Sequence, residues 1–245
     1  MTMVTLSPGS KRGSVSSPLQ WRGKSLELSQ LSPDEQKTFV TEFEGLIGTD
    51  DSVMRALFRD RRDEIEAGIM AIKQTLNDPT FQGTYPDDQG LGICQIRPMH
   101  VGDTSATPDG KTNWSETITT GDTKQAWIGA SSSDQFLVGG YSGDQAAAWG
   151  GLIIIGVASK SLTQSMRNIK FWNDRLERVP INIEDYVLRD NTNQVPVLPI
   201  PTEVYLPGSG MYAELTGVTT SAVEKFKLVG LAVGLGKLLK RDTYA

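Results

Sequence analysis

The sequence predicts a mainly β protein, an antiparallel β-sandwich body preceded by a basic arm and two amphipathic α-helices. Three observations carry this. From residue 91 onward, short runs rich in β-branched and aromatic residues alternate with Gly, Pro, Asn and Asp clusters. Residues 31–80 instead place apolar side chains at helical spacing. Residues 1–26 hold Lys11, Arg12, Arg22 and Lys24 but no acid, the first acid being Glu27. These shifts divide the chain into an arm over 1–30, a helical segment over 31–80 and a β body over 81–245.

Composition bounds the rest. The chain has 245 residues, with 38% hydrophobic and 22% charged residues, a balance that suits a folded core rather than a disordered chain. Its net charge of −5 argues against the whole body being a polyanion binder. Cys94 is the single cysteine, so no internal disulfide can form. Ser7, Pro8, Gly9, Ser10 and Lys11 interrupt the N-terminus, where a secretory leader would need an unbroken apolar run. The best apolar run, Leu152 to Ala158, falls far short of the ~20 residues that a membrane-crossing helix needs. The expectation is a protein without a leader or a membrane span.

In the arm, Ser, Gly and Pro interleave with the four cations, and the segment has little to gain by folding alone. Lys11, Arg12, Arg22 and Lys24 are the candidate contacts to a polyanion or to a neighbouring subunit. They can neutralise phosphates but cannot read bases. Ser32-Pro33-Asp34-Glu35 then predicts a helix start. Ser32 suits the N-cap, Pro33 the first helical position, and Glu35 can reach back to the cap N–H. Phe39, Phe43, Leu46 and Ile47 follow at helical spacing, and Gly48 ends the helix. A second helix is predicted over 51–77, with Met54, Leu57, Phe58, Ile65, Ile69, Ile72 and Leu76 near one stripe. Asp78-Pro79 stops it. That stripe either packs at home or docks on an adjacent subunit. The stretch Arg59 to Glu66 mixes both signs and makes a poor nucleic-acid patch.

The body predicts strands at Leu91–Arg97, Ser115–Thr120, Gln125–Gly129, Gln135–Val138, Leu152–Ala158 and Asn168–Trp172. Further strands follow at Val179–Leu188, Val195–Leu198, Glu203–Leu206, Met211–Leu215 and Lys225–Val233. Pro108-Asp109-Gly110, Gly139-Gly140, Asn173-Asp174 and Pro207-Gly208-Ser209-Gly210 are the turn signals between them. Ser161–Arg167 is the one short helix candidate. Leu152-Ile153-Ile154-Ile155 reads as a strand buried on both faces. Gly230, Gly234 and Gly236 interrupt the stretch from Phe226; in a helix each would cost about 1 kcal/mol, whereas in a strand they permit bends, bulges or close sheet packing. Pro196, Pro199, Pro201 and Pro207 confine 195–207 to edge or extended positions. Val179, Ile181 and Ile183 against Asn182 and Glu184 predict a half-buried strand.

No motif carries catalysis. His100 is the only histidine, so any Ser-His-Asp or Cys-His chemistry must run through it, and it lies in an expected loop. With Cys94 it supplies two of the four ligands that a structural zinc needs, and Cys94 reads as a buried inert thiol. There is no Gly-x-Ser-x-Gly, no Ser-x-x-Lys and no phosphate loop; the spacing at Gly230–Lys237 is wrong and Leu238 stands where Ser or Thr is needed. Asp87-Asp88 and Asp103 with Asp109 match no calcium loop. Trp114, Trp127, Trp149 and Trp172 fit core or interface anchors, or a sugar-stacking face. No metal or cofactor is expected, and neither is an enzyme.

The plan of basic arm, helical segment and β body resembles the jelly-roll capsid proteins of icosahedral viruses. So do the proline-rich Val195–Pro207, the turn Leu206-Pro207-Gly208-Ser209-Gly210 and the last strand near Phe226–Leu235. The resemblance implies a viral structural protein located in the virion. It implies self-assembly with copies of itself and other shell proteins, and an arm that meets packaged nucleic acid or ties subunits together. The alternative is a β-sandwich binding module for a carbohydrate or host surface, such as a virion spike or adhesin.

Overall fold

A computed structural model describes residues 20–21, 24–25, 33, 52–77, 91–97, 100–101, 115–119, 121–128, 150–159, 165–173, 176–183, 197–220 and 222–235. In chain order the elements are β1 (Gln20–Trp21), β2 (Lys24–Ser25), α1 (Ser52–Asp60), α2 (Arg62–Leu76), β3 (Leu91–Gln95), β4 (Ser115–Ile118) and β5 (Lys124–Ile128). Then come β6 (Gly150–Ser159), β7 (Met166–Asn173), β8 (Leu176–Glu177), β9 (Ile181–Asn182), β10 (Val197–Tyr205), β11 (Met211–Gly217) and β12 (Ala222–Leu235). The protein is mainly antiparallel β with few helices. The helix predicted after Ser32 and the strand Gln135–Val138 lie outside the described residues.

Two larger sheets form. Sheet one runs β10-β6-β12-β3, with β4 on the first residues of β12. Sheet two runs β5-β11-β7-β8, with β9 further along β7. The strands of both sheets pair antiparallel.

The period-2 alternation of β6 fixes where its side chains go. Leu152 and Ile154 enter one buried cluster; Ile153 and Ile155 enter another. The first cluster takes Leu152, Ile154, Leu228 and Ala232 from sheet one and Met166, Ile169, Phe171, Ala213 and Leu215 from sheet two. The second packs Ile153, Ile155, Val229, Leu231 and Val233 against Leu57, Phe58, Ile65, Ile69 and Ile72 of the helices. Sheet one is therefore buried on both faces, as the continuous apolar run predicts.

The helical stripe packs at home. Phe58, Ile65, Ile69 and Ile72 have no exposed surface. At about 1.5–3 kcal/mol per large apolar side chain, the stripe contributes on the order of 10 kcal/mol gross, too much to leave for a neighbour. Gly68 lets α2 approach, since a Cβ there would stand 2.9 Å from Ile153 Cδ1. The single helix expected over 51–77 is instead two, joined at Arg61 with φ −102° and ψ 11°. The hydrogen bonds Arg61 N–H to Leu57 O (3.1 Å) and Ile65 N–H to Arg61 O (3.0 Å) span the joint. Leu57 and Phe58 of α1 enter the same buried cluster as Ile65 and Ile69 of α2.

Two strand expectations and one helix expectation are corrected. The two strands expected at 195–198 and 203–206 are one, β10, whose pairing with β6 shifts between Pro199 and Glu203 because proline cannot donate to the ladder. It is an edge strand, as its prolines predict. Val179 is 82% exposed, so the half-buried alternation begins only at Ile181 and Ile183. The helix candidate Ser161–Arg167 fails at its end, where Met166 and Arg167 already belong to β7 and Met166 pairs with Gly217.

Gly230 is the bend predicted in the last strand. The β12–β6 register shifts between Val229 and Gly230, and Gly230 has φ +157°. A Cβ there would collide with the carbonyl oxygen of Ile153. Gly230→Ala should therefore destabilise the protein by about 3 kcal/mol in chemical denaturation. A midpoint and slope equal to wild type would contradict this placement.

Candidate interaction face

Sheet two turns one face away from the shared cluster. On β11, Met211, Ala213 and Leu215 are buried, while Tyr212, Glu214 and Thr216 alternate outward. Register places Tyr212 opposite Trp172 and Glu214 opposite Lys170. The Trp172 and Tyr212 rings meet edge-on, with centroids 6.4 Å apart and planes at 71°. Lys170 Nζ lies 4.8 Å from the Trp172 centroid and pairs with Glu177. Lys124 from the edge strand stands 3.6 Å from Glu214. Desolvation lowers the Lys170 pKa; nearby Lys124 adds to the effect and Glu214 opposes it. The burial comes from close neighbours on the sheet's own outer surface, since cation, indole and carboxylate crowd together there. The indole N–H of Trp172 has no acceptor among the described residues.

This arrangement bears on the sugar-stacking reading. Trp172 faces outward rather than into the core, but its ring is crossed by Tyr212 and capped by Lys170 rather than lying open beside a coplanar partner. Trp114 and Trp149 are outside the described residues, as is the side chain of Trp127.

The cationic arm is only touched by the described residues. Lys24 sits in β2, its backbone paired with Trp21. Lys11, Arg12 and Arg22 lie outside the described residues, as do Asp87, Asp88, Asp103 and Asp109.

His100 is a packing residue inside the fold. It is 1% exposed, because its Nδ1 accepts the Arg97 N–H at 3.0 Å and closes a tight turn. The ring proton is then on Nε2, directed at Cys94 Sγ 3.9 Å away. A histidine that activates a thiol must take a proton through the facing nitrogen, and here that nitrogen already carries one. The pair is a satisfied piece of core, with Cys94 buried as expected.

Buried polar groups that the sequence reading missed fasten the sheets to each other. Glu224 has no exposed surface and accepts hydrogen bonds from the N–H and hydroxyl of Ser165, each at 2.9 Å. In the strand, Val223 and Lys225 are exposed while Glu224 and Leu228 share the inward parity of β12. Arg178, between β8 and β9, donates to Glu203 on β10 at 3.1 Å. Asn173 on β7 donates to the Val204 carbonyl at 3.0 Å. Both contacts tie sheet two to the edge strand of sheet one.

A trough of about 460 Å³ lies between the helices and β10, lined by Ala56, Leu57, Asp60, Arg61, Glu64 and Pro199. Its two carboxylates are solvated. Arg61 holds both oxygens of Glu64 at 2.9 and 3.0 Å, and the Thr202 hydroxyl donates to the same group. The trough is a helix–strand fastening. Among the described residues no three His, Cys, Asp or Glu side chains gather to hold a metal ion, and no helix is long and apolar enough to cross a membrane. No protein family, curated protein or solved structure matches this chain.

Two outcomes follow from the buried polar groups. His100→Ala leaves the Arg97 N–H without its acceptor and should cost about 2 kcal/mol, whereas Cys94→Ala should cost less. Equal stability of His100→Ala and wild type would contradict the turn-closing role. Burial also raises the Glu203 pKa, with Arg178 pulling it down. The folded state then holds a proton that the unfolded chain has already released. This contribution is fullest below the ordinary carboxylate pKa and is lost as pH rises through the folded value. As pH rises from the ordinary carboxylate pKa, Glu203→Gln should therefore gain stability relative to wild type. A relative loss over that rise would contradict the sign.

Proposed function

We propose that this chain is a viral structural protein, a shell subunit whose two sheets stack as a jelly roll and whose arm and surfaces join copies of itself and other shell proteins. The supporting observation is the nested strand order. Set aside the short β4, which pairs only with the first residues of β12, and take β3, β5, β6, β7, the β8/β9 edge, β10, β11 and β12 as first to eighth. First then pairs with eighth, second with seventh, third with sixth and fourth with fifth. Eighth also lies beside third, and seventh beside fourth. An antiparallel ribbon folded back on itself and rolled up would produce this order, which supports reading the fold as the double Greek key of jelly rolls. The shared apolar cluster supports stacking of the two sheets.

Jelly rolls also carry lectins and metal-binding enzymes, so the step from fold to function is an analogy that other features must direct. The single histidine disfavours the histidine-rich metal version. The acid-free basic arm ahead of the body favours a shell subunit. The arm, through Lys11, Arg12, Arg22 and Lys24, contacts packaged nucleic acid, and the protein resides in the virion. A second reading, a carbohydrate or host-surface binding module, draws on the outward Trp172 and Tyr212 alone.

Electron microscopy of the purified full-length protein should reveal closed particles or rings. A strict monomer at every salt and protein concentration would overturn the proposal. Removing residues 1–26 should lower the nucleic-acid content of particles without unfolding the body. Unchanged content would assign the arm to subunit tethering.

A further inference from the structure

The sheet edges are not guarded alike. β10 carries Pro199 and Pro201, the β8/β9 edge carries Pro180, and β5 begins with Lys124. β3, from Leu91 to Gln95, has neither a proline nor a charge, and its register with β12 runs without a shift. It ends sheet one, and among the described residues no strand pairs with it on the side away from β12. Proline, charge and bulges are the usual means of keeping a strand edge from pairing with another chain, and β3 lacks all three.

The phase of the ladder fixes which groups stand on that edge. The Ile96 N–H donates to the Gly230 carbonyl at 3.1 Å, and the pairs from Gln95↔Leu231 to Leu91↔Leu235 continue from it. Along an antiparallel pair, residues alternate between bonding the partner strand and pointing away from it. Gly92, Cys94 and Ile96 therefore bond β12, and the N–H and C=O groups of Leu91, Ile93 and Gln95 point outward. The Ile93 side chain is taken up in the cluster under the helices, and Gln95 is exposed. What the edge offers is backbone. Ile93 is only 3% exposed, so leaving its outward groups without a partner is costly.

This edge is complementary to itself. An antiparallel pairing of two copies about a two-fold axis at Ile93 sets Ile93 against Ile93 and Leu91 against Gln95. Every outward N–H of one copy then meets an outward C=O of the other. The flanking charges select the same arrangement. Asp87 and Asp88 precede the strand and Arg97 follows it; the two acids lie outside the described residues and enter through their place in the sequence. In the antiparallel register Arg97 falls opposite Gln89 of the second copy, beside its Asp88, and the contact occurs twice. A parallel register would set acid against acid and arginine against arginine, which is unfavourable.

We propose that the outer edge of β3 is a docking site for a second copy of this chain, joining the two molecules through one continuous antiparallel sheet. The inference rests on the reading of the protein as self-assembling and names one of its contacts. It requires a pair of molecules, not a closed particle, so it can fail or stand apart from the shell.

The test is sedimentation of the full-length protein over a concentration series, joined to residue-level hydrogen exchange on the same samples. Wild type should pair as concentration rises. The Ile93 and Gln95 amides should gain protection together with pairing, while those of Gly92 and Cys94 are protected throughout. Gln95→Pro removes an outward N–H that β12 does not use, so it should keep the thermal midpoint near wild type and weaken pairing about tenfold or more. Arg97→Glu and Asp88→Arg should each weaken pairing about tenfold, and the two together should return it to within about threefold of wild type.

Pairing of Gln95→Pro equal to wild type overturns the proposal, and so does a charge reversal that the second substitution fails to rescue. Ile93 and Gln95 amides that exchange freely at every concentration overturn it as well. Protection of both in dilute monomer would overturn it by assigning the edge to a segment of the same chain. Electron microscopy of the same samples separates the two claims. Pairs that follow these substitutions but never close into particles would sustain the edge and remove the shell reading. Normal particles from Gln95→Pro would do the reverse.

Discussion

The pairing of β6 with β12 is the constraint on which the molecule is built. β6 and the second half of β12 are apolar on both faces, and their register sends alternate residues into two different clusters. One residue of slip would exchange the two sets, bringing the β-branched Ile153 and Ile155 toward sheet two and Leu152 and Ile154 toward the helices. The shift at Gly230 occurs within this ladder, where a side chain would strike the Ile153 carbonyl. Sheet two is buried on one face only, and its other face carries charge and aromatic rings.

The sheet edges bear on how such a molecule meets its neighbours. An exposed, regular edge invites unspecific strand addition. Here β10 carries Pro199 and Pro201 and a register shift, while β8 and β9 are two residues each. Their flank exposes Leu176 at 64% and Val179 at 82%, with Glu177 and Arg178 between them already engaged in ion pairs. In the proposed shell, contacts at these two edges would then be made by side chains and arms rather than by extension of a sheet. The polar ties from Arg178 and Asn173 to β10 serve the same end, because they hold the edge strand against the opposite sheet.

Much of this architecture was legible in the chain. Leu152-Ile153-Ile154-Ile155 announced burial on both faces, Gly230 a bulge, and the prolines of 195–207 an edge. Each signal is local, depending on period, on a missing Cβ or on a missing N–H. The tertiary contacts were not legible. That His100 folds back onto the Arg97 N–H, that Glu224 reaches Ser165 some 59 residues away, and that Arg178 meets Glu203 depend on strand order, which no single segment encodes.

Residue-level hydrogen exchange on the full-length protein addresses the two-sided burial of sheet one most directly. If the helices seal one face and sheet two the other, the amides of β6 and the central part of β12 exchange only through global unfolding, sharing one opening free energy with α2 and β7. Should β6 exchange through a lower-energy opening while sheet two stays protected, the helical layer would not be seated on that strand, and the layered account would be wrong.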